Sequence, residues 1–411
     1  MQKRLIVIGG GAAGFFCAVN AARMNPALEV IIVEKSSKLL SKVKVSGGGR
    51  CNTTHACFEI PELVKRYPRG VNFLKKAFHW FNTNDTVKWF EERGVRLKTE
   101  GDGRMFPVTD NSQTIIDCLL READKHRIEI VMNADVRQVT KPAGRFLLDL
   151  NDGRKFETDY LCIACGGFPK TLQFDWLKAT GHSIESPVPS LFTFNMPGNT
   201  ITQLMGVSVE EAVVKVAGTK LHEEGPLLIT HWGMSGPVVL RTSAWGARIL
   251  AEKNYRFNIT VNWVPQYNEQ DLRNEWSSLR NRLSAQVVHN KNPFGLPNRL
   301  WQYLLQQCGI GDDVKWGSLG SSQQNKLIQH LVSQSFEVNG KTTFKEEFVT
   351  CGGIKLSEID VNTMQSKIMP GLFFAGEIMD VDGITGGFNF QHAWTSGFIA
   401  AKAIASNHTN R

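Results

Sequence analysis

The start of the chain constrains it most. The apolar run Leu5-Ile6-Val7-Ile8 passes directly into Gly9-Gly10-Gly11-Ala12-Ala13-Gly14. Twenty residues after Gly14, a second apolar run, Val30-Ile31-Ile32-Val33, ends on Glu34. Strand, glycine turn, helix, strand and acid in this order predict a parallel β-α-β unit built to grip a dinucleotide. Gly9 permits a tight turn off the first strand. Gly11 lets a pyrophosphate approach the backbone, and Gly14 lets the helix pack close to the sheet. The N–H groups of Ala12, Ala13 and Gly14 open that helix and face the phosphates with its positive end. Glu34 is placed to accept hydrogen bonds from a ribose diol, and Lys35 follows it.

At 411 residues the chain is long enough for two or three domains with a sizeable core. Lys3 and Arg4 before an apolar stretch imitate a signal peptide, but the glycines interrupt the stretch and a buried parallel strand fits better. No other run is long and apolar enough to span a bilayer, so a cytoplasmic protein is expected. The formal charge of +8 permits attraction to anions without naming one. Its densest basic segment, Lys35, Lys38, Lys42, Lys44 and Arg50, lacks interleaved aromatics, which argues against nucleic acid. Eight cysteines without secretory context read as thiols. Cys162 and Cys165 lie in an apolar strand, and Cys51 and Cys57 are spaced unlike the redox pair of flavin disulfide reductases. The cysteines and histidines form no zinc pattern, so no metal is expected.

Residues 1–187 read as alternating strands and helices around a loop at 35–69. Helices are predicted over 71–80, 83–93 and 112–126. Strands are predicted at 129–132, 135–140, 146–150 and 155–157, and a buried strand, 159–165, runs into Gly166-Gly167. Residues 188–349 read as an insertion, β-rich over 188–264 and helical over 265–335, with a return strand at 336–349. Residues 350–411 complete the first domain. There Gly371–Glu377 is a strand with a glycine-acid turn, followed by Asp380…Gly386-Gly387-Phe388-Asn389 and a helix over 391–405.

Four segments are expected to converge on one FAD. They are the first glycine turn, Ser46-Gly47-Gly48-Gly49-Arg50-Cys51-Asn52, the Cys165-Gly166-Gly167 turn, and the C-terminal turns with Gly376, Glu377, Asp380, Gly386, Gly387, Phe388 and Asn389. Consecutive glycines leave N–H groups free to cradle phosphate or approach a planar ring. Arg50 is expected at phosphate or the flavin edge, and Asn52 at ring or ribityl atoms. Glu377 is expected at ribityl hydroxyls. Val136, on the strand 135–140, completes the cofactor-binding set.

These residues amount to a resemblance. Lys42…Ser46-Gly47-Gly48-Gly49-Arg50-Cys51-Asn52 resembles a signature of the aminoacetone oxidase family of FAD-binding enzymes, the BaiN-like or YhiN-like flavoproteins. Thr230–Pro237, Val349–Ile354 and residues 375–397 are similar to its further motifs, in order along the whole chain. The resemblance implies an α/β fold: a discontinuous, glutathione-reductase-like Rossmann FAD domain carrying a β-barrel-like and small helical insert. It also implies bound FAD and an oxidoreductase role. His55, Cys165, Phe388 and His392 depart from the family pattern, and Phe388 and His392 lie near the expected flavin ring.

The expected function is therefore flavin N5 hydride transfer on a small molecule, as an amine oxidase or an enone or double-bond reductase. His231 is the acid/base candidate and Arg50 a second catalytic candidate. NAD(P)H is a possible external donor, although no second G-x-G-x-x-G is present. Two alternatives remain: a thiol-disulfide oxidoreductase using Cys51 and Cys57, and an FAD protein binding nucleic acid or a protein through the helical insert. Substrate and oligomeric state stay open.

Overall fold

The computed structural model describes residues 2–342 and 349–406. Its contacts divide the chain into two units, Met1–Ser190 with Phe344–Arg411, and Leu191–Thr343. The first division falls three residues beyond the expected end at 187. The reason is pairing: strand Ile184–Ser190 runs antiparallel to Val349–Ile354, so both belong to the first unit. The expected return strand at 336–349 is corrected for the same reason. Gln334–Asn339 pairs with Arg256–Asn262 inside the insert, and the returning strand is Val349–Ile354. Residues 343–348 lie outside the described residues.

The first unit is built on a five-stranded parallel sheet. Its order is Leu372–Phe374, Tyr160–Ile163, β1 (Arg4–Ile8), β2 (Glu29–Val33) and Glu129–Val131. These strands are apolar runs because parallel strands are covered on both faces. Leu5, Ile6, Val7, Ile32, Val33, Leu161 and Cys162 are buried. Helix α1 (Ala12–Met24) is buried from Ala13 to Ala22. Two glycines let it approach its neighbours. A Cβ on Gly14 would collide with Gly9 O, and one on Gly397 of the C-terminal helix would lie 2.8 Å from Ala13 O. The expected loop at 35–69 contains two short helices, α2 (Ser41–Gly49) and Ile60–Val64. Sequence periodicity missed α2 because its second half is not regular helix: Ser46 is extended, and Gly47 and Gly48 are left-handed.

The second unit has a seven-stranded antiparallel sheet with its own core. Alternating burial along Gln334–Asn339 marks a sheet packed on one face. Helices Glu269–Arg282, Asn298–Gln307 and Ser321–Ser333 complete it. Among the described residues no helix is long and apolar enough to cross a membrane.

Candidate FAD site

Parallel pairing brings three strand ends to one edge. Ile8 pairs with Ile163, and Ile163 with Phe374, so Gly9, Ala164 and Ala375 emerge side by side. The N–H of Ala164 donates to Ile8 O at 2.8 Å, that of Ala375 to Ile163 O at 3.0 Å, and that of Gly9 to Val33 O at 2.8 Å. Ligands of open α/β sheets bind at this carboxyl edge.

The glycines here fall into two kinds. Some exist for close packing. A Cβ on Gly9 would lie 2.5 Å from Ala164 O, one on Gly376 would lie 2.7 Å from Ala13 Cβ, and one on Gly387 would lie 2.5 Å from Thr54 O. Others, Gly11, Gly48, Gly49 and Gly166, face open space, with nothing within 4 Å of an added Cβ. Open backbone at the head of a buried helix is what a diphosphate needs. Leu40 N donates to Gly10 O at 2.8 Å, which holds the start of α2 beside the first glycine turn.

Glu34 sits at the end of β2. Its Oε2 accepts from Gly10 N at 2.8 Å, and its Oε1 accepts from the N–H and hydroxyl of Ser36 at 2.9 and 2.8 Å. The acid thus shapes the turn as well as presenting lone pairs at its rim. Lys35 lies over the Phe168 ring. Val136 is buried at the first residue of the strand Val136–Thr140.

Several of the expected ligand residues also tie segments together. Lys42 Nζ pairs with Glu377 Oε2 at 2.6 Å, while Glu377 Oε1 accepts from Thr350 N at 2.8 Å. A Cβ on Gly167 would lie 2.9 Å from Glu377 Oε1, so that carboxylate joins α2, the strand Val349–Ile354 and the Gly166-Gly167 turn. Ser46 Oγ donates to Val43 O, capping the kink in α2. Arg50 pairs with Glu100 at 2.5 Å, a hydrogen bond that raises its pKa, and lies 4.0 Å over the Phe106 ring. Asn52 is buried, and its amide bridges Thr54 O and Gly387 N at 3.0 Å each. Asn389 holds Gly383 through both its N–H and its carbonyl, at 2.8 and 3.0 Å. The N–H of Asp380 donates to Ile354 O.

The C-terminal helix Phe388–Ser406 begins at Gly386-Gly387, both with positive φ. Its entry is fixed by Tyr67, Arg69 and Ser190, which the sequence did not single out, and by His55, which it noted only as a departure from the family pattern. Tyr67 Oη donates to Phe388 O at 2.7 Å, and His55 stacks on the Phe388 ring with centroids 4.6 Å apart. His55 Nδ1 lies 3.0 Å from Gly386 O, and burial lowers its pKa. A neutral ring therefore donates from Nδ1. Arg69 Nε donates to the fully buried Asp382 at 2.5 Å, and Ser190 Oγ donates to the same carboxylate at 2.7 Å. Burial pushes the Asp382 carboxyl up, and Arg69 pulls it back. The glycine-acid repetition around Asp382 was the only available signal for this network. Arg69 gave none.

His392 is buried in the first turns of the same helix, its Nε2 3.2 Å from Gly376 O. Burial lowers its pKa to about 4. Its Nδ1 and the Thr350 hydroxyl are buried with no partner among the described residues. The open glycines, the helix termini and these unpaired atoms fit an extended flavin dinucleotide. The bound cofactor would lie against Gly11, Ala12, Ala13, Gly48, Gly49 and Gly166.

Burial works against a redox role for the cysteines. Cys51 is fully buried in a left-handed backbone, and burial pushes its thiol up to about 12. Burial also raises Cys57, and both are free thiols. A nucleophilic thiol needs the opposite shift. Cys162 is buried in the core, and Cys165, at the strand's end, is pushed up to about 12 by burial. His231 lies in the second unit, exposed in the turn between His222–Thr230 and Gly233–Ser235, its ring edge-on to Trp232. Among the described residues no group of His, Cys, Asp and Glu is placed to hold a metal.

Residues 3–403 match the family described as "HI0933-like protein Rossmann domain". The chain belongs to this family. It is 31% identical over 408 residues to the "Ribosomal RNA dihydrouridine synthase" of Escherichia coli, spanning 97% of each chain. It is 28% identical to the protein of the same name from Haemophilus influenzae, over 97% of this chain and 98% of that one. It is 27% identical to the "3-dehydro-bile acid delta(4,6)-reductase" of Clostridium scindens, over 98% and 99%. Among solved structures it shares the fold of a flavocytochrome c3 fumarate reductase, with TM-score 0.52 and 17% identity, covering 100% of this chain and 79% of that one. A 3-ketosteroid delta1-dehydrogenase from Sterolibacterium denitrificans gives TM-score 0.50 at 13% identity, covering 98% and 99%. The chain is an FAD-dependent oxidoreductase.

Proposed function

We propose that this chain reduces a carbon–carbon double bond conjugated to a carbonyl, and that its substrate is a uridine of ribosomal RNA. The observation that carries the reading is the full-length match to two proteins named for making dihydrouridine in ribosomal RNA, one of them 31% identical. The third relative, named a bile acid delta(4,6)-reductase, supports the same reaction type. In uracil as in an unsaturated ketone, the carbon β to the carbonyl accepts hydride and the α carbon accepts a proton.

Bound FAD supplies the hydride at N5. The protein's share is to hold the cofactor and exclude water. Gly11, Ala12 and Ala13 present N–H groups to the diphosphate, and Glu34 presents carboxylate lone pairs to the adenosine ribose. The positive end of the C-terminal helix would stabilise negative charge on a bound, reduced flavin. His231 is proposed as the donor of the proton to the α carbon. The electrons come from NAD(P)H acting as an external donor, and the reaction belongs in the cytoplasm, with the ribosome.

The 27% match also favours a second reading, a small unsaturated ketone as substrate. The test reduces the purified chain anaerobically, mixes it with ribosomal RNA transcribed in vitro, and measures nucleosides by mass spectrometry. Dihydrouridine with reoxidised flavin is expected. Flavin that is reoxidised by an enone but leaves the RNA unchanged contradicts the RNA assignment.

A further inference from the structure

The second unit contains two adjoining cavities that the flavin chemistry does not use. The first is about 450 Å³ and lies between the 3-10 turn Thr200–Leu204 and helices Asn298–Gln307 and Ser321–Ser333. Its size falls in the roughly 300–1,000 Å³ range of ligand sites. Asn199, Gln307, Gln329, Gln334, His330 and Tyr303 line it, and no lining residue is Asp, Glu, Lys or Arg. Gln334 is buried, and its Oε1 accepts from Trp263 Nε1 at 2.7 Å, which fixes the orientation of its amide. Tyr303 is also buried, with its hydroxyl 3.2 Å from Thr200 Oγ1. His330 Nδ1 is buried with no partner among the described residues.

The second cavity, about 410 Å³, shares Tyr303 with the first and adds Arg299 and His289. Arg299 is fixed by donating to Met205 O and Gln203 O at 3.1 and 2.8 Å. His289 lies 3.7 Å from Asp312, so the second cavity is mixed in charge, whereas the first is neutral.

A neutral chamber rich in amides, beside a chamber holding a guanidinium, matches the two ends of one nucleotide. Carboxamides pair with the donor and acceptor edge of a base, and Arg pairs with phosphate. Single-stranded RNA is read by such pockets, which take splayed-out bases. We propose that these cavities form an RNA-docking site, the first taking an unpaired base and the second its phosphate. The proposal rests on the reading of ribosomal RNA as substrate.

The test uses the full FAD-loaded chain and the exposed pair Gln307→Leu with Gln329→Leu. Binding of labelled single-stranded oligouridylate and oligoadenylate is read by anisotropy across a salt series, beside dihydrouridine formation on ribosomal RNA. The double variant should bind at least one of the two oligonucleotides about tenfold more weakly, the size of one lost base contact. Its salt slope and flavin content should not change, because no charge is removed. Unchanged affinity in a variant whose parent binds RNA and makes dihydrouridine overturns the docking site alone. A parent chain that neither binds RNA nor makes dihydrouridine overturns the substrate reading, and the docking site falls with it.

Discussion

Two helices meet at the same sheet edge, and they are held by different means. The first, α1, is placed by its own sequence: β1, three glycines and ten buried residues in a row. The second, Phe388–Ser406, is placed by side chains from across the chain. Asn52, His55, Tyr67, Arg69 and Ser190 all reach its entry loop. A turn made by local backbone geometry can be recognised as a pattern. A turn held by distant partners looks like a glycine run until the fold brings those partners together.

The contrast breaks most visibly at Arg69. Removing it leaves Asp382 buried and unpaired, so Arg69→Ala should cost about 3–5 kcal/mol in denaturant unfolding. A cost below about 1 kcal/mol in that measurement would mean the second turn does not depend on this pair.

Acid sharpens the same comparison, because His392 lies in the first turns of the second helix with its Nε2 against Gly376 O. Its pKa is lowered from 6.5 to about 4, so protonation favours the unfolded chain. The stability it contributes is complete above about pH 6.5 and is lost as pH falls towards 4, about 3 kcal/mol in all. His55 and His182, also lowered by burial, add to the slope. His392→Gln should flatten the pH dependence of unfolding between pH 6.5 and 4. An unaltered slope would show that His392 is not buried neutral.

Gly14 and Gly387 test the two turns by the same change. A methyl at Gly14 collides with Gly9 O, and one at Gly387 with Thr54 O. Each Gly→Ala variant should lose about 1–3 kcal/mol, Gly14→Ala because its methyl approaches Gly9 O most closely and Gly387→Ala because a backbone clash adds to its positive φ. The smallest effect is expected at Cys57→Ser: stability should move by less than about 0.5 kcal/mol, with no change in flavin reduction rate. A large loss of that rate would return a thiol to the chemistry.

The sequence alone announced the parallel unit, the acid ending β2 and the order of the cofactor segments, because each is a short-range pattern with one structural solution. It is silent on partners far away in the chain. Arg50, expected at the cofactor, pairs with Glu100 and lies over Phe106. Asn52, expected at ring or ribityl atoms, ties Thr54 to Gly387. Lys42 and Glu377, read as separate ligands, are one ion pair. The boundaries of the insert moved because the pairing of Ile184–Ser190 with Val349–Ile354 spans a sequence gap that periodicity does not see.

The central claim is that FAD lies on the open backbone at the head of α1. Gly11 has ordinary extended φ and ψ, and an added Cβ meets nothing within 4 Å, so Gly11→Val should fold as the parent does. The decisive measurement is the flavin content of purified Gly11→Val, read beside the unfolding midpoint of the flavin-free protein. The account predicts a colourless variant with an unchanged midpoint, against a yellow parent that releases FAD on denaturation. A folded Gly11→Val that keeps a full complement of FAD would contradict it.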